Sequence, residues 1–171
     1  MITVAGERGE QFTGIAEGPG RVRFSRCVEA FTQHVADHGW PEFVARQNLE
    51  AMVAELGFTV AEISTTVSPV LADQPTFCVS LSRPIEVGQL LGTVDTTVVE
   101  TTEGPRFKFA MEGRVYNEGE ADINEWRVRG EPELHLRNDS VPYRFITCSS
   151  VVNRIPDVIK AEPGLITLDQ R

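Results

Sequence analysis

Two runs near the middle of the chain constrain its fold more than any other feature. Val94 to Thr102 is dense in Thr and Val, and Phe107, Phe109 and Met111 alternate with Lys108 and Glu112. β-Branched and aromatic side chains at a period of two fit a pleated strand with one face inside. Glu103-Gly104-Pro105 between the runs is a hairpin turn signal. Val60 to Leu71 and the short Phe77 to Leu81 read as further strands, and Trp126 and Val128 alternate with Arg127 and Arg129 in the same way. Asn117-Glu118-Gly119 reads as a second hairpin turn.

The flanks have a different period. Phe24, Cys27, Val28, Phe31 and Val35 recur at helical spacing, with Gly39 as the stop. Trp40-Pro41-Glu42 opens a second helix, with Pro41 where its missing N–H costs nothing. Leu49, Met52, Val53 and Leu56 form the inner stripe of that helix, and Gly57 ends it. A last helix is predicted from near Pro142 to about Pro156. Residues 1–20 carry five glycines around Ile2, Val4, Phe12 and Ile15, which suits a short strand or two pairing onto the main sheet. The expected class is α+β: a mixed, mostly antiparallel sheet with helices packed on one face. One domain over 1–171 is expected, with 1–23 as a glycine-rich leader.

Sixteen Lys and Arg stand against 25 Asp and Glu, a net charge of −9. Such a field repels phosphate backbones and anionic lipid, so neither nucleic acid nor a membrane surface is the expected partner. The amino terminus lacks a basic flank followed by an apolar stretch, unlike a secretory signal. Cys27, Cys78 and Cys148 are odd in number and widely spaced, which fits reduced thiols in a cytoplasmic protein.

Chemistry-bearing motifs are sparse. Gly18-Pro19-Gly20 lacks the third glycine and the leading strand of a dinucleotide fingerprint, so no cofactor site is expected. His34 and His38 lie four apart on a helix, but no third ligand stands at a motif spacing, so no metal is expected. Cys148 packs most simply as a small apolar residue, and no GxSxG elbow occurs. Glu112 is the best-placed carboxylate for proton transfer if its strand turns it inward. Its alternation with Phe107, Phe109 and Met111 favours the solvent face.

The order and spacing of several passages resemble the C-terminal domain of the diaminopentanoate dehydrogenase and amine dehydrogenase family, which is dihydrodipicolinate-reductase-like. These passages are Trp40 to Phe58, Val60 to Ile63, Val67 to Asp73, Ile85 to Gly92 and Arg127 to Asp169; the likeness covers about Phe24 to Asp169. It implies a scaffold that holds small amines or ketones, preceded in the family by a dinucleotide-binding domain, and a homodimer that uses the open sheet. Where the family has small residues and a carboxylate entering the last helix, this chain has Pro142-Tyr143-Arg144-Phe145. Its helix-entry turn near substrate corresponds to His38-Gly39-Trp40-Pro41-Glu42-Phe43. The resemblance thus implies a pocket where the helical hairpin and final helix meet the sheet. Trp40, Phe43, Arg144 and Phe145 would bind substrate, and Tyr143 and His38 would hydrogen-bond or transfer protons, with Glu112 in reserve. The same aromatics equally suit covering apolar area left by loss of the dinucleotide domain.

The expected function is a cofactor-independent cyclase or isomerase acting on a small, largely apolar metabolite, such as a polyketide-type intermediate. A non-catalytic ligand-binding or regulatory protein, and a detached substrate subunit of a split amine dehydrogenase, are the alternatives. Without a strand–glycine–helix unit, the 171-residue chain is predicted to bind neither NAD nor NADP. Saturable quenching of tryptophan fluorescence by either dinucleotide, competed by unlabelled cofactor, would contradict this.

Overall fold

A computed structural model describes residues 2–5, 28–40, 45–79 and 81–164. The element order is β1 (Ile2–Ala5), α1 (Val28–His38), α2 (Ala45–Glu55), β2 (Val60–Leu71), β3 (Thr76–Cys78), β4 (Arg83–Ile85), β5 (Leu90–Thr101), β6 (Arg106–Arg114), β7 (Asn124–Val128), β8 (Leu134–Asn138) and α3 (Tyr143–Lys160). Six strands form one sheet in the order β2-β5-β6-β1-β7-β8, and β3 and β4 form a separate hairpin. All pairings are antiparallel except β1 with β6. The class is therefore α+β with a mixed, mostly antiparallel sheet, as the periodicities require.

β5 is the spine. It pairs along its length with β2 on one side and β6 on the other. From Thr93 to Thr101 every second residue is buried, and the intervening ones are half-exposed. The buried row faces the helices. Leu49 and Val53 of α2 close on Val99 and Phe107, with Met52, Phe58, Ile63 and Phe109 around them. Full burial of side chains of this size contributes about 1.5–3 kcal/mol each. Phe31 of α1 packs with Leu90, flanked by Val35, Trp40 and Val67. A third cluster, Ala72, Cys78, Ile85 and Leu91, seats the β3–β4 hairpin. Gly92 sits in the tightest part of this weave, where an added Cβ would lie 2.1 Å from the Gly113 carbonyl oxygen.

Local signals end the elements. Gly39 takes φ +71°, and its N–H bonds the Val35 carbonyl at 2.9 Å, so α1 stops there and the chain turns Trp40 toward the sheet. At the β5–β6 turn, Thr101 Oγ1 donates to the Pro105 carbonyl at 2.6 Å. The Glu103 carboxylate accepts the Thr59 N–H at 2.9 Å, which ties this turn to the start of β2.

Three expectations change. Asn117-Glu118-Gly119 is not a hairpin turn, because β1 lies between β6 and β7, so the connection spans two strand spacings. Leu56 does not join the inner stripe of α2: it follows the last helical residue and is half exposed. The last helix runs on through Pro156 to Lys160, and it does not pack on the sheet face that α1 and α2 cover. Phe145, Val151, Val152, Ile155, Val158 and Ile159 of α3 are all at least half exposed. At 3.6 residues per turn they share one arc of about 140°. No helix among the described residues is long and apolar enough to cross a membrane.

Candidate functional site

The alternation along β5 places one carboxylate where apolar packing is expected. Asp95 is 3% exposed and faces the helices, between Val67 of β2 and Met111 of β6 in the register. Thr93 and Thr97 flank it on the same face and are also buried. Among the described residues, neither Asp95 oxygen, nor Thr93 Oγ1, nor the Trp40 indole nitrogen has a hydrogen-bond partner of ordinary geometry. Burial pushes the Asp95 carboxyl up to about 6, and the nearby Trp40 indole N–H offsets part of the rise.

Beside this acid lies a cavity of about 460 Å³, lined by Val35, Trp40, Arg46, Ile63, Thr65, Thr66 and Val67. It opens between the helical hairpin and β2, the edge strand of the sheet. Its inner wall stands directly against the buried row of β5: Ile63 pairs with Val99, Thr65 with Thr97, and Val67 with Asp95. The Thr65 and Thr97 hydroxyls are 3.3 Å apart. Trp40 packs on Phe31 with ring centroids 5.6 Å apart. The same tryptophan therefore walls the cavity and covers the acid. The cavity has room for a small molecule against an indole face, and the Asp95 carboxyl lies buried behind Trp40 and Val67 rather than among the described lining residues.

Of the residues named from the sequence, the structure brings Trp40 to this cavity. His38 ends α1, exposed, with Nδ1 3.1 Å from the His34 carbonyl and its ring stacked on His34 at 4.6 Å; it does not line the cavity. Glu112 pairs with Val94 in the register, so it lies on the sheet face opposite Asp95, where Arg114 holds it at 2.7 Å. Phe145 is 77% exposed on α3. Tyr143 and Arg144 form the first turn of α3, and their side chains, like all of Phe43, lie outside the described residues. The described cavity thus forms between the hairpin and the sheet alone, and no described α3 residue lines it. Asp95 is the residue the sequence reading missed, although a lone carboxylate inside the run Leu90–Val99 was its signal. Among the described residues, no group of three or more His, Cys, Asp or Glu side chains could hold a metal ion.

No protein-family model and no curated protein matches the chain. Among solved structures, an amine dehydrogenase from Mycobacterium smegmatis superposes with a TM-score of 0.81 at 36% identity. The alignment covers 99% of this chain and 49% of that one, so the chain spans about half the length of this relative. The order-and-spacing resemblance read from the sequence is thereby borne out.

The raised acid carries a stability signature. A folded-state value near 6 against an ordinary 3.8 means that the native state binds the extra proton between those values. Its contribution to stability therefore falls as pH rises from about 4 to above 6, then levels off. The difference corresponds to about 3 kcal/mol. Asp95→Asn should remove that loss: urea unfolding should find the variant more stable than wild type at pH 7.5, with the gap shrinking toward pH 4. A gap independent of pH would show that Asp95 ionises as it does in water.

Proposed function

We propose that this chain, related over nearly its whole length to half of an amine dehydrogenase, acts in the cytoplasm as an isomerase or cyclase without a redox cofactor. Its substrate would be a small, largely apolar metabolite held in the Trp40 cavity. The observation that carries the reading is Asp95: a buried carboxyl with only the nearby Trp40 indole N–H to offset its burial among the described residues, raised to about 6 and set behind the indole that walls the cavity. A buried acid left this way costs stability, and a value near the working pH is what proton transfer to or from carbon requires. Ionised Asp95 would take a proton from the carbon beside a carbonyl. The resulting acid would return it at another carbon, or, where the carbanion closes a ring on a second carbonyl of the same substrate, give it to the alkoxide that this addition leaves. Thr65, which lines the cavity with its hydroxyl 3.3 Å from that of Thr97, would hydrogen-bond the carbonyl oxygen.

α-Proton exchange of cyclohexanone in D2O, followed by NMR, tests the first half of this chemistry. Wild type should exchange faster than buffer, with a rate that rises through about pH 6 as the base ionises. Asp95→Asn should lose about a hundredfold or more. Trp40→Ala should lose less, by admitting water to the acid. Exchange at the buffer rate despite measurable binding would mark a ligand-binding protein instead. The half-length match favours a second reading, a substrate-holding half that works with a separate dinucleotide-binding part. An adjacent reading frame encoding only such a domain would support it.

The proposal includes a homodimer. The exposed α3 side chains offer on the order of 600 Å² per copy, so a twofold pair would bury on the order of 1,200 Å², within the range of stable interfaces. Light scattering should return twice the chain mass at micromolar concentration, and Ile155→Asp should shift it toward monomer. A monomer mass for wild type across that range would remove the dimer.

A further inference from the structure

We infer that the homodimer is an exchange of helices, in which α3 of each copy lays its apolar arc on the other copy's sheet at β7 and β8. This inference rests on the homodimer proposed above and adds to it which surfaces meet.

Two uncovered surfaces of one chain carry it. The first is the outer half of the sheet. The row that holds Val99 and Phe107 continues through Ile2 to Val128 and Leu134, and the row of Thr97 and Phe109 continues through Val4 to Trp126 and Leu136. Burial fades along both rows. Val99 and Phe107 are buried under α2, Trp126 and Val128 are half-buried, and Leu134 and Leu136 are 53% and 67% exposed. The face that α1 and α2 cover at β5 is thus still apolar, but open, at β8.

The second surface is α3. Of residues 145–160, Arg154 alone is half-buried and all the others are exposed. Thr147, Val151, Val152, Ile155 and Ile159 are β-branched, and Pro156 lies inside the helix. Such a run is a poor helix former, and an isolated helix of this length is marginal in water without tertiary packing. Its arc of about 140° has the width of a face that packs on a core.

The chain does not join its own two surfaces. Val141 is buried, and its N–H bonds the Asp122 carbonyl at 2.9 Å, which fixes the point from which α3 leaves the body with its arc uncovered. A second copy brings the same helix and the same open rows, so a twofold axis satisfies all four surfaces at once. Helix on sheet is also how the rest of the domain is layered. Two such contacts bury on the order of 1,500 Å² in total, a standard-sized interface. Pairing α3 with α3 would leave Leu134 and Leu136 in water.

Cys148 is exposed and falls inside the arc, so it reports what the arc touches. Under mild oxidation, Leu136→Cys should give a covalent dimer in which the introduced thiol is bridged to Cys148 of the other copy, as read by mass spectrometry of the linked peptides. Adding Cys148→Ser should remove it. Leu136→Asp, a change at an exposed position, should weaken the dimer about tenfold or more in sedimentation, as Ile155→Asp does. Mixing these two variants should recover dimer, because one helix–sheet contact of the pair is intact. Three results would each overturn the inference and leave the homodimer standing: a wild-type dimer bridged through Cys148 of both copies, a bridge to Cys148 formed only within one chain, or Leu136→Asp dimerising like wild type. A monomer mass for wild type removes the homodimer and the exchange together.

Discussion

The alternating burial of β5 is the constraint on which the rest of the structure depends. A twelve-residue strand paired on both sides has one face for the helices and one for the opposite surface, and a shift of one residue would exchange them. The register is pinned at both ends. Val99 and Phe107 fit under Leu49 and Val53 of α2, and Gly92 crosses Arg114 where no Cβ has room. With the register fixed, Asp95 has no way out of the interior. The chain either neutralises it, gives it a partner or carries the cost, and burial with the Trp40 indole as its nearby donor places it on the costly side.

Trp40 is where this constraint becomes a site. Gly39 turns the chain at the end of α1, and the indole falls between Phe31 and the edge strand. On one side it completes an apolar cluster that anchors α1 to β5 through Leu90; on the other it forms a wall of the cavity. One side chain therefore couples the packing of the hairpin to the shape of the pocket and to the dielectric around the acid. A change at Trp40 reaches the fold, the cavity and the Asp95 carboxyl together.

Much of the fold was legible because its signals are local. β2 runs from Val60 to Leu71 as its Thr, Val and Ile content suggests, and Gly39 and Gly57 stop the two helices. Alternation along β6 also placed Glu112 opposite Phe107, Phe109 and Met111, and it lies there. Pairing across the sheet is not local. Nothing around Asn117-Glu118-Gly119 announces that β1, more than a hundred residues earlier, separates the strands it joins. The exposed arc of α3 has the periodicity of a buried helix, because periodicity records that a face is apolar and not what covers it. The site was legible only in part for a similar reason: Trp40 stood out as an exposed-looking aromatic at a turn, whereas Asp95 was hidden among threonines and valines that drew attention to the strand.

The two acids on neighbouring strands show why that omission matters. Glu112 and Asp95 lie one register step apart across β5 and β6, yet one faces Arg114 and the other faces the helices. The paired acid is held by the Arg114 guanidinium at 2.7 Å. The unpaired one sits in a row where Thr, Val or Ile would pack without penalty, as they do at Thr97, Val99 and Ile63. A position that departs from the pattern of its own strand, at a cost in stability and beside a cavity, is where local rules are expected to yield to function. By that argument Asp95, beside Trp40, is the position of this strand that departs furthest from the packing pattern around it.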